Sequence, residues 1–294
     1  EKYFSPEKLV PYLGTRGCYW GKCTFCDHGA GYIDQFRAKH AEQIVDELEF
    51  LKNKLNAKHF MFTDESFPPA LFIKLPPMMV ERDLGIYWTT LIRFESQLLE
   101  PKLWDMAHKS GCRSLYYGLE SANERIIKLV KKDTDIKAAK INLEQAKRVG
   151  IWSHVMCFYG FPSETPEEAE DTRQFLIQNQ GMIPSVEMYF FVLYKSAPVM
   201  FQTEEYKIRV KENPEHDLAL DFYYTPDSGQ TTEEAMARYE DFYRNDFDPW
   251  ALRINAREHV LLYITHFGTS DLPDLYVKNH REAHESNLAP EVML

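Results

Sequence analysis

From Leu9 to about Val192, short runs of β-branched and aromatic residues alternate with longer amphipathic stretches, and this alternation limits the fold more than any other feature of the chain. Strands separated by helices pair in parallel, because each return to the sheet uses a crossover rather than a tight turn. The pattern predicts strands at Val10 to Thr15, His59 to Thr63, Ile86 to Ile92, Ser114 to Gly118, Ser153 to Phe158 and Ser185 to Val192, about six βα repeats. The clearest helix carries Ala41, Ile44, Val45, Leu48, Leu51 and Leu55 on one face, with Glu42, Asp46, Glu49 and Lys52 outside. Further helices are expected at Pro101 to Lys109, Glu124 to Val130, Ile136 to Val149 and Pro166 to Gln178. Thr165 is suited to cap the last, with Pro166 at its first position and Glu167 and Glu168 in the turn where the helix dipole favours anions. Pro76-Pro77 predicts a broken or shortened helix between Ala70 and Asp83, since proline lacks the amide hydrogen that a helix interior uses.

With 294 residues, 44% of them hydrophobic, the chain can bury the core of one large α/β domain, with or without a smaller appendage. A net charge of -11 and no dense Lys/Arg block remove the electrostatic footprint of a dedicated nucleic-acid binder. The longest purely apolar or aromatic stretch, Met188 to Tyr194, is far short of the roughly 20 residues that cross a bilayer. A soluble, cytoplasmic protein without a membrane partner is expected. The chain opens on Glu1, close to its first strand, which predicts further sequence upstream in the full protein.

The expected strands run directly into Arg16-Gly17-Cys18, Asp64-Glu65-Ser66, Arg93-Phe94-Glu95, Glu120-Ser121 and Tyr159-Gly160-Phe161-Pro162. In parallel βα barrels the carboxyl ends of the strands share one mouth. Asp64, Arg93 or Glu120 taken singly reads as an ordinary loop or cap residue, whereas several such ends together read as a site. The first of these loops holds Cys18, Cys23 and Cys26 within nine residues. Three thiolates can hold three irons of a four-iron cluster and leave the fourth open to chemistry. The same thiolates with His28 would also make a Cys3His set for structural zinc, and spacing does not separate the two. Cys112 and Cys157 are isolated, the total of five is odd and nothing resembles a secretory signal, so a disulfide framework fails and neither is assigned to metal.

Together these residues resemble the radical S-adenosylmethionine (SAM) superfamily over roughly Val10 to Val192. The resemblance implies a partial (β/α)6 TIM-like barrel, a 4Fe-4S cluster on Cys18, Cys23 and Cys26, and SAM as second cofactor. It makes Phe25 the aromatic along the adenine. It sets Thr63-Asp64-Glu65-Ser66 where the family holds the methionine ammonium, although the family's glycines are missing here. Glu120 and Ser121 are similar to the polar pair at the ribose or amino-acid end, Arg93 and Lys132 to partners of the carboxylate, and Tyr159, Gly160 and the turn to Pro162 to the segment near the adenine. Tyr19, Trp20 and Phe25 suit either shielding of a cluster or plain packing. The implied activity is reductive cleavage of SAM to a 5'-deoxyadenosyl radical that modifies a small-molecule or peptide substrate. Such an oxygen-sensitive enzyme, a transferase or an oxidoreductase, takes electrons from a donor such as flavodoxin or ferredoxin.

Within the superfamily, Thr15-Arg16-Gly17-Cys18, Gly118 to Ser121 and Gly160-Phe161-Pro162-Ser163-Glu164-Thr165 are most similar to the subgroup that often carries an upstream cobalamin domain. Two features depart from it: four residues rather than the commoner three separate Cys18 from Cys23, and no Asp-x-His-x-x-Gly cobalamin signature occurs in the chain. Cobalamin could bind only through sequence upstream. The alternatives are a cobalamin-dependent methyltransferase, a tRNA-modifying enzyme and, from another class, a non-enzymatic zinc-binding interaction module. Residues 1–200 are read as the radical SAM core, and 201–294 as a mainly helical extension that covers the barrel or shapes the substrate pocket. In the extension Lys211 to Gly229 is loop-like, Thr231 and Glu234 have capping-box spacing ahead of Met236, Tyr239 and Tyr243, and a second helix from Ala251 to Phe267 carries His259 and His266, read as packing or solvated. Tyr117, Tyr159, Tyr189 and Tyr194 either line a cavity or are half-buried structural residues.

Overall fold

The computed structural model describes residues 7–27, 35–211, 220–245 and 257–268. β1 (Leu9–Tyr12) leads into a short ribbon in which β2 (Thr15–Arg16) pairs antiparallel with β3 (Arg37–Ala38). There follow α1 (Ala41–Leu55), β4 (His59–Phe62), α2 (Pro69–Glu81), β5 (Tyr87–Ile92), α3 (Pro101–Lys109), β6 (Cys112–Glu120), α4 (Glu124–Leu129), α5 (Ile136–Val149), β7 (Trp152–Tyr159), α6 (Pro166–Gln178) and β8 (Ser185–Phe190). β1, β4, β5, β6, β7 and β8 form one sheet in that order, every neighbouring pair parallel. A sheet whose strand order repeats chain order, with a helix in each crossover, is wound as a barrel; β1 and β8 remain its two edges, so the barrel is partial.

The strands alternate between two faces. Phe60 and Phe62 of β4, Trp88 of β5, Leu115, Tyr117 and Leu119 of β6, and Val155 and Cys157 of β7 join Ile44, Leu48, Phe72, Leu75 and Trp104 of the helices in one buried cluster. Local chemistry starts and stops the helices. The Asp135 carboxylate accepts from the amides of Lys137 and Ala138, and Gly150 ends α5 in the left-handed region. Thr165 and Glu168 form a capping box at α6. Cys112 and Cys157 are fully buried in this core, and burial pushes both thiols up.

Two expectations need correction. α2 continues through Pro76 and Pro77 as a 13-residue helix, although each proline removes one backbone bond. Its Leu71, Phe72, Leu75 and Met79 are buried, and Phe72 packs against both Trp88 and Trp104, so tertiary packing offsets the missing bonds. The second correction lies between Lys211 and Gly229. β11 (Asp221–Phe222) pairs with β9 (Leu193–Tyr194), and β12 (Tyr224–Pro226) with β10 (Ile208–Val210), strands too short to leave a period in the sequence. Residues 212–219 of that stretch lie outside the described residues.

α7 (Thr232–Asn245) begins at the expected box, in which Thr231 Oγ1 accepts from the Glu234 amide and Glu234 Oε2 from the Thr231 amide. It packs on β7 and β8, where Phe242 meets Tyr159 edge-on and the Met188 amide donates to Tyr243 Oη. α8 (Arg257–Phe267) packs on β4, β5 and β6 from the other face; Thr265 Oγ1 lies 3.0 Å from His59 Nε2, and Val260, Leu261 and Ile264 are buried. His266 packs edge-on against Phe267, whereas 251–256 and the His259 side chain lie outside the described residues. No helix among the described residues is long and apolar enough to cross a membrane.

Candidate active site

At the carboxyl ends of the strands lies a cavity of about 390 Å³. Cys18, Cys23, Phe25 and Cys26 from the loop after β2 form one wall; Glu65, Ser66 and Arg93 follow β4 and β5; Gly118 and Glu120 end β6, and Lys132 follows α4. Leu91, Ile92, Met156 and Tyr194 add apolar surface. Nine of the thirteen residues expected at a site therefore meet in one space. All five cysteines are free, and the three in the loop are partly exposed where the two in the core are not.

The cysteine loop is held at both ends by residues distant in sequence. Trp20 Nε1 donates to the Lys131 carbonyl at 2.8 Å, and its ring lies 4.0 Å from the Arg93 guanidinium. Tyr19 Oη donates to Glu95 Oε1, which also accepts from Arg93 Nε. Farther along, the Thr24 amide donates to the Val130 carbonyl and the Thr24 carbonyl accepts from the Val199 amide. Phe25 packs edge-on against Phe158 at 5.1 Å. Tyr19 and Trp20 anchor the loop, while Phe25 lines the cavity.

A β-bulge builds the opposite wall. The register between β6 and β7 shifts between Gly118 and Glu120, and Glu120 takes the left-handed φ of 67°, a strained conformation for a residue with a side chain. Its carboxylate meets Lys132 Nζ at 2.9 Å. Burial alone pulls the Lys132 ammonium down, but Glu120 and Cys23 outweigh it and the net shift is upward. Burial pushes the Cys23 thiol up, against the pull of Lys132 and Arg93. Gly118 leaves room for this charge pair, because a Cβ would stand 2.4 Å from Glu120 Oε1 and 2.8 Å from Lys132 Nζ.

Arg93 is buried, with Nε on Glu95 and Nη2 on the Lys132 carbonyl, yet Nη1 has no hydrogen-bond partner among the described residues; the same is true of the buried Glu65 Oε2. An unsatisfied guanidinium nitrogen and an unsatisfied carboxylate oxygen on one cavity wall complement a ligand that carries both a carboxylate and an ammonium. The donor set therefore fits a thiolate-bound cluster beside an amino-acid group. Among the described residues no three His, Cys, Asp or Glu side chains are arranged to hold a metal ion, and His28, the fourth donor of the zinc alternative, lies outside them.

Four expected residues do not line the cavity. Asp64 is buried with Oδ1 accepting from Thr15 Oγ1 and Oδ2 from the Gly14 amide, so it ties β4 to the chain entering the cysteine loop. Burial raises its pKa against those bonds. Ser121 Oγ accepts from the Asn123 amide and contacts Thr172 Oγ1, fastening the turn into α4 to α6. Tyr159 is buried against Phe242. Gly160, with φ of 82°, faces α7: a Cβ would lie 2.4 Å from Ala235 Cβ. Of the four tyrosines weighed for a cavity, Tyr194 lines it, Tyr117 and Tyr159 are buried and Tyr189 is exposed. Leu91 and Met156 join the lining at positions that period-2 alternation within β5 and β7 points to, whereas no local signal carries the contacts of Tyr19 and Trp20.

The sequence pattern of the Radical SAM superfamily matches residues 12–176. The chain belongs to that superfamily. Members of the superfamily use a 4Fe-4S cluster and SAM, and the zinc-binding module is set aside in favour of that family. The chain is 30% identical over 212 residues to bacteriochlorophyllide d C-12(1)-methyltransferase of Chlorobaculum tepidum, covering 69% of this chain and 44% of that protein. It is 26% identical over 239 residues to the anaerobic magnesium-protoporphyrin IX monomethyl ester cyclase of Rubrivivax gelatinosus, covering 79% of this chain and 41% of the cyclase. The chain thus spans less than half the length of these relatives. In fold it is similar to the radical SAM methyltransferase TsrM from Kitasatospora setae, with a TM-score of 0.67 at 15% identity over 95% of this chain and 62% of that one.

Proposed function

We propose that Cys18, Cys23 and Cys26 hold the cluster, that Arg93 and Glu65 receive the carboxylate and ammonium of SAM, and that Glu120 and Lys132 meet its remaining polar groups beside Phe25. The observation that carries this reading is the meeting of three partly exposed thiols with the unpartnered Arg93 Nη1 and Glu65 Oε2 in one cavity. When bound, the two cofactors supply one-electron cleavage of a sulfonium carbon–sulfur bond and a 5'-deoxyadenosyl radical. The chain's own residues orient and exclude. Arg93 is fixed by Glu95 and by the Lys132 carbonyl, so its free nitrogen is aimed before a ligand arrives, and positioning of this kind can contribute several kcal/mol. Asp64 and Ser121 act one step back, as positioning residues for the cysteine loop and for the turn after β6.

The substrate is a small molecule or peptide reached past Tyr194, the electron donor a flavodoxin or ferredoxin, and the setting an oxygen-poor cytoplasm. Residues 1–200 form the catalytic core, and 201–294 its covering extension. A second reading, cobalamin-dependent methyl transfer, is favoured by the name of the Chlorobaculum tepidum relative, a methyltransferase, and needs a cobalamin domain outside this chain. Anaerobic reconstitution with iron and sulfide, reduction and addition of SAM tests both. We expect 5'-deoxyadenosine from the radical reading and S-adenosylhomocysteine with a methylated product from the second. A fully loaded cluster that yields neither overturns both.

A further inference from the structure

Glu95 follows the same strand end as Arg93 and does not line the cavity, yet it holds residues from two of its walls. One oxygen, Oε1, accepts from Tyr19 Oη in the cysteine loop and from Arg93 Nε at 3.0 Å. The Glu95 side chain is only 15% exposed, so both bonds are charge-assisted in surroundings that screen them little.

The backbone of Glu95 is fixed from behind. Asn142 of α5 is fully buried; its Oδ1 accepts from the Glu95 amide at 3.1 Å and its Nδ2 donates to the Leu98 carbonyl at 3.2 Å. One backbone donor and one backbone acceptor give the Asn142 amide a single orientation that satisfies both. Phe94, between Arg93 and Glu95, stacks on Tyr117 with ring centroids 4.3 Å apart. The stretch from Arg93 to Leu98 is thus pinned to α5 and β6, and the Glu95 carboxylate carries that anchorage to the cysteine loop. A ligand that reaches from the thiols to Arg93 binds more weakly when those two ends move independently, because binding must then order them.

We propose that Glu95 is the positioning residue that couples the two ends of the SAM site, holding the cysteine loop, through Tyr19, at a fixed place relative to Arg93. This rests on the radical SAM reading of the cavity and adds to it residues that do not touch the ligand, since none of Glu95, Tyr19 and Asn142 lines the space.

The test compares Glu95→Ala with Glu95→Gln in the reconstituted, cluster-loaded protein. Both remove the charge, but the glutamine Oε1 can still accept from Tyr19 and Arg93, so the difference between them reports bracing alone. Per loaded chain, we expect Glu95→Ala to bind SAM about tenfold more weakly than Glu95→Gln in anaerobic equilibrium dialysis, the size of two ordinary hydrogen bonds. Without SAM, it should also lose iron to a chelator several-fold faster. Equal SAM affinity in the two variants, or a change in only one of the two readouts, overturns the coupling. Should Glu95→Ala not load, Tyr19→Phe decides, since it removes one hydroxyl outside the cavity. SAM affinity about threefold below wild type is then expected, and unchanged affinity overturns the assignment. Wild type that carries full iron and binds no SAM would instead remove the radical SAM reading, and the coupling with it.

Discussion

The ends of β6 and β7 look alike in sequence and do different work. Each has a glycine near a glutamate, Gly118 with Glu120 and Gly160 with Glu164. At β6 the bulge turns Glu120 into the cavity, where it is paired with Lys132 and lines the space with Arg93. At β7 the corresponding turn faces α7. The Gly160 amide donates to Glu164 Oε2, the Gly160 carbonyl accepts from Tyr224 Oη, and the Gln230 amide donates to the Glu164 carbonyl. Glu164 is fully buried with Oε1 unpartnered, and burial raises it to about 8. One strand end keeps a carboxylate with a charged partner for chemistry; the other seals an acid against an added helix. A glycine-glutamate pattern is thus a statement about backbone, and its function depends on what arrives opposite.

The largest expected effect breaks the cavity side outright. Cys23→Ala should lose the cluster, with iron falling from about four per chain and 5'-deoxyadenosine dropping to background, because three thiolates are the minimum donor set. Cys157→Ala, on the sealed strand, should keep full iron and change only stability. Iron and sulfide analysis of both separates them, and a Cys23→Ala protein that retained the cluster would remove this loop from the site.

The two glycines sharpen the contrast. Gly160→Ala imposes a side chain at a left-handed φ and drives it into Ala235, so a stability loss of about 2 to 4 kcal/mol in urea denaturation is expected. Gly118→Ala meets the ends of the Glu120 and Lys132 side chains, which can swing aside. Its fold should survive, while SAM affinity in equilibrium binding falls about tenfold or more as the charge pair is displaced. Similar losses of stability in both variants would erase the distinction between the two strand ends.

Much of this was legible beforehand because it is periodic. The six strands, α3, α5 and α6, and the cysteine loop follow from alternation, caps and spacing, each a local signal. Two kinds of feature were not. The neighbours of Gly160 match a cofactor turn, yet its surroundings are fixed by Ala235 and Tyr224, which only the folded chain brings there. Asp64 and Glu65 are adjacent and chemically alike, and the strand end points one at Gly14 and Thr15 and the other into the cavity. Pro76-Pro77 failed for a third reason: the local rule was sound, and packing against Trp88 and Trp104 overrode it.

The last predicted effect concerns the sealed acid. Unfolded, Glu164 titrates near 4.5; folded, burial holds its proton up to about 8. Between those values the folded protein binds the extra proton, so this group's contribution to folding is fully present below pH 4.5, declines as pH rises and is gone once pH passes about 8. The slope it adds is at most about 1.4 kcal/mol per pH unit. Glu164→Gln, which keeps the shape and cannot ionise, should flatten the fall in stability between pH 6 and pH 8 and gain on wild type at the alkaline end. Urea denaturation of both proteins across that range checks it. Parallel curves would mean that Glu164 is ionised in the fold with a counter-charge close by, and the β7 end would then resemble the ion-paired β6 end after all.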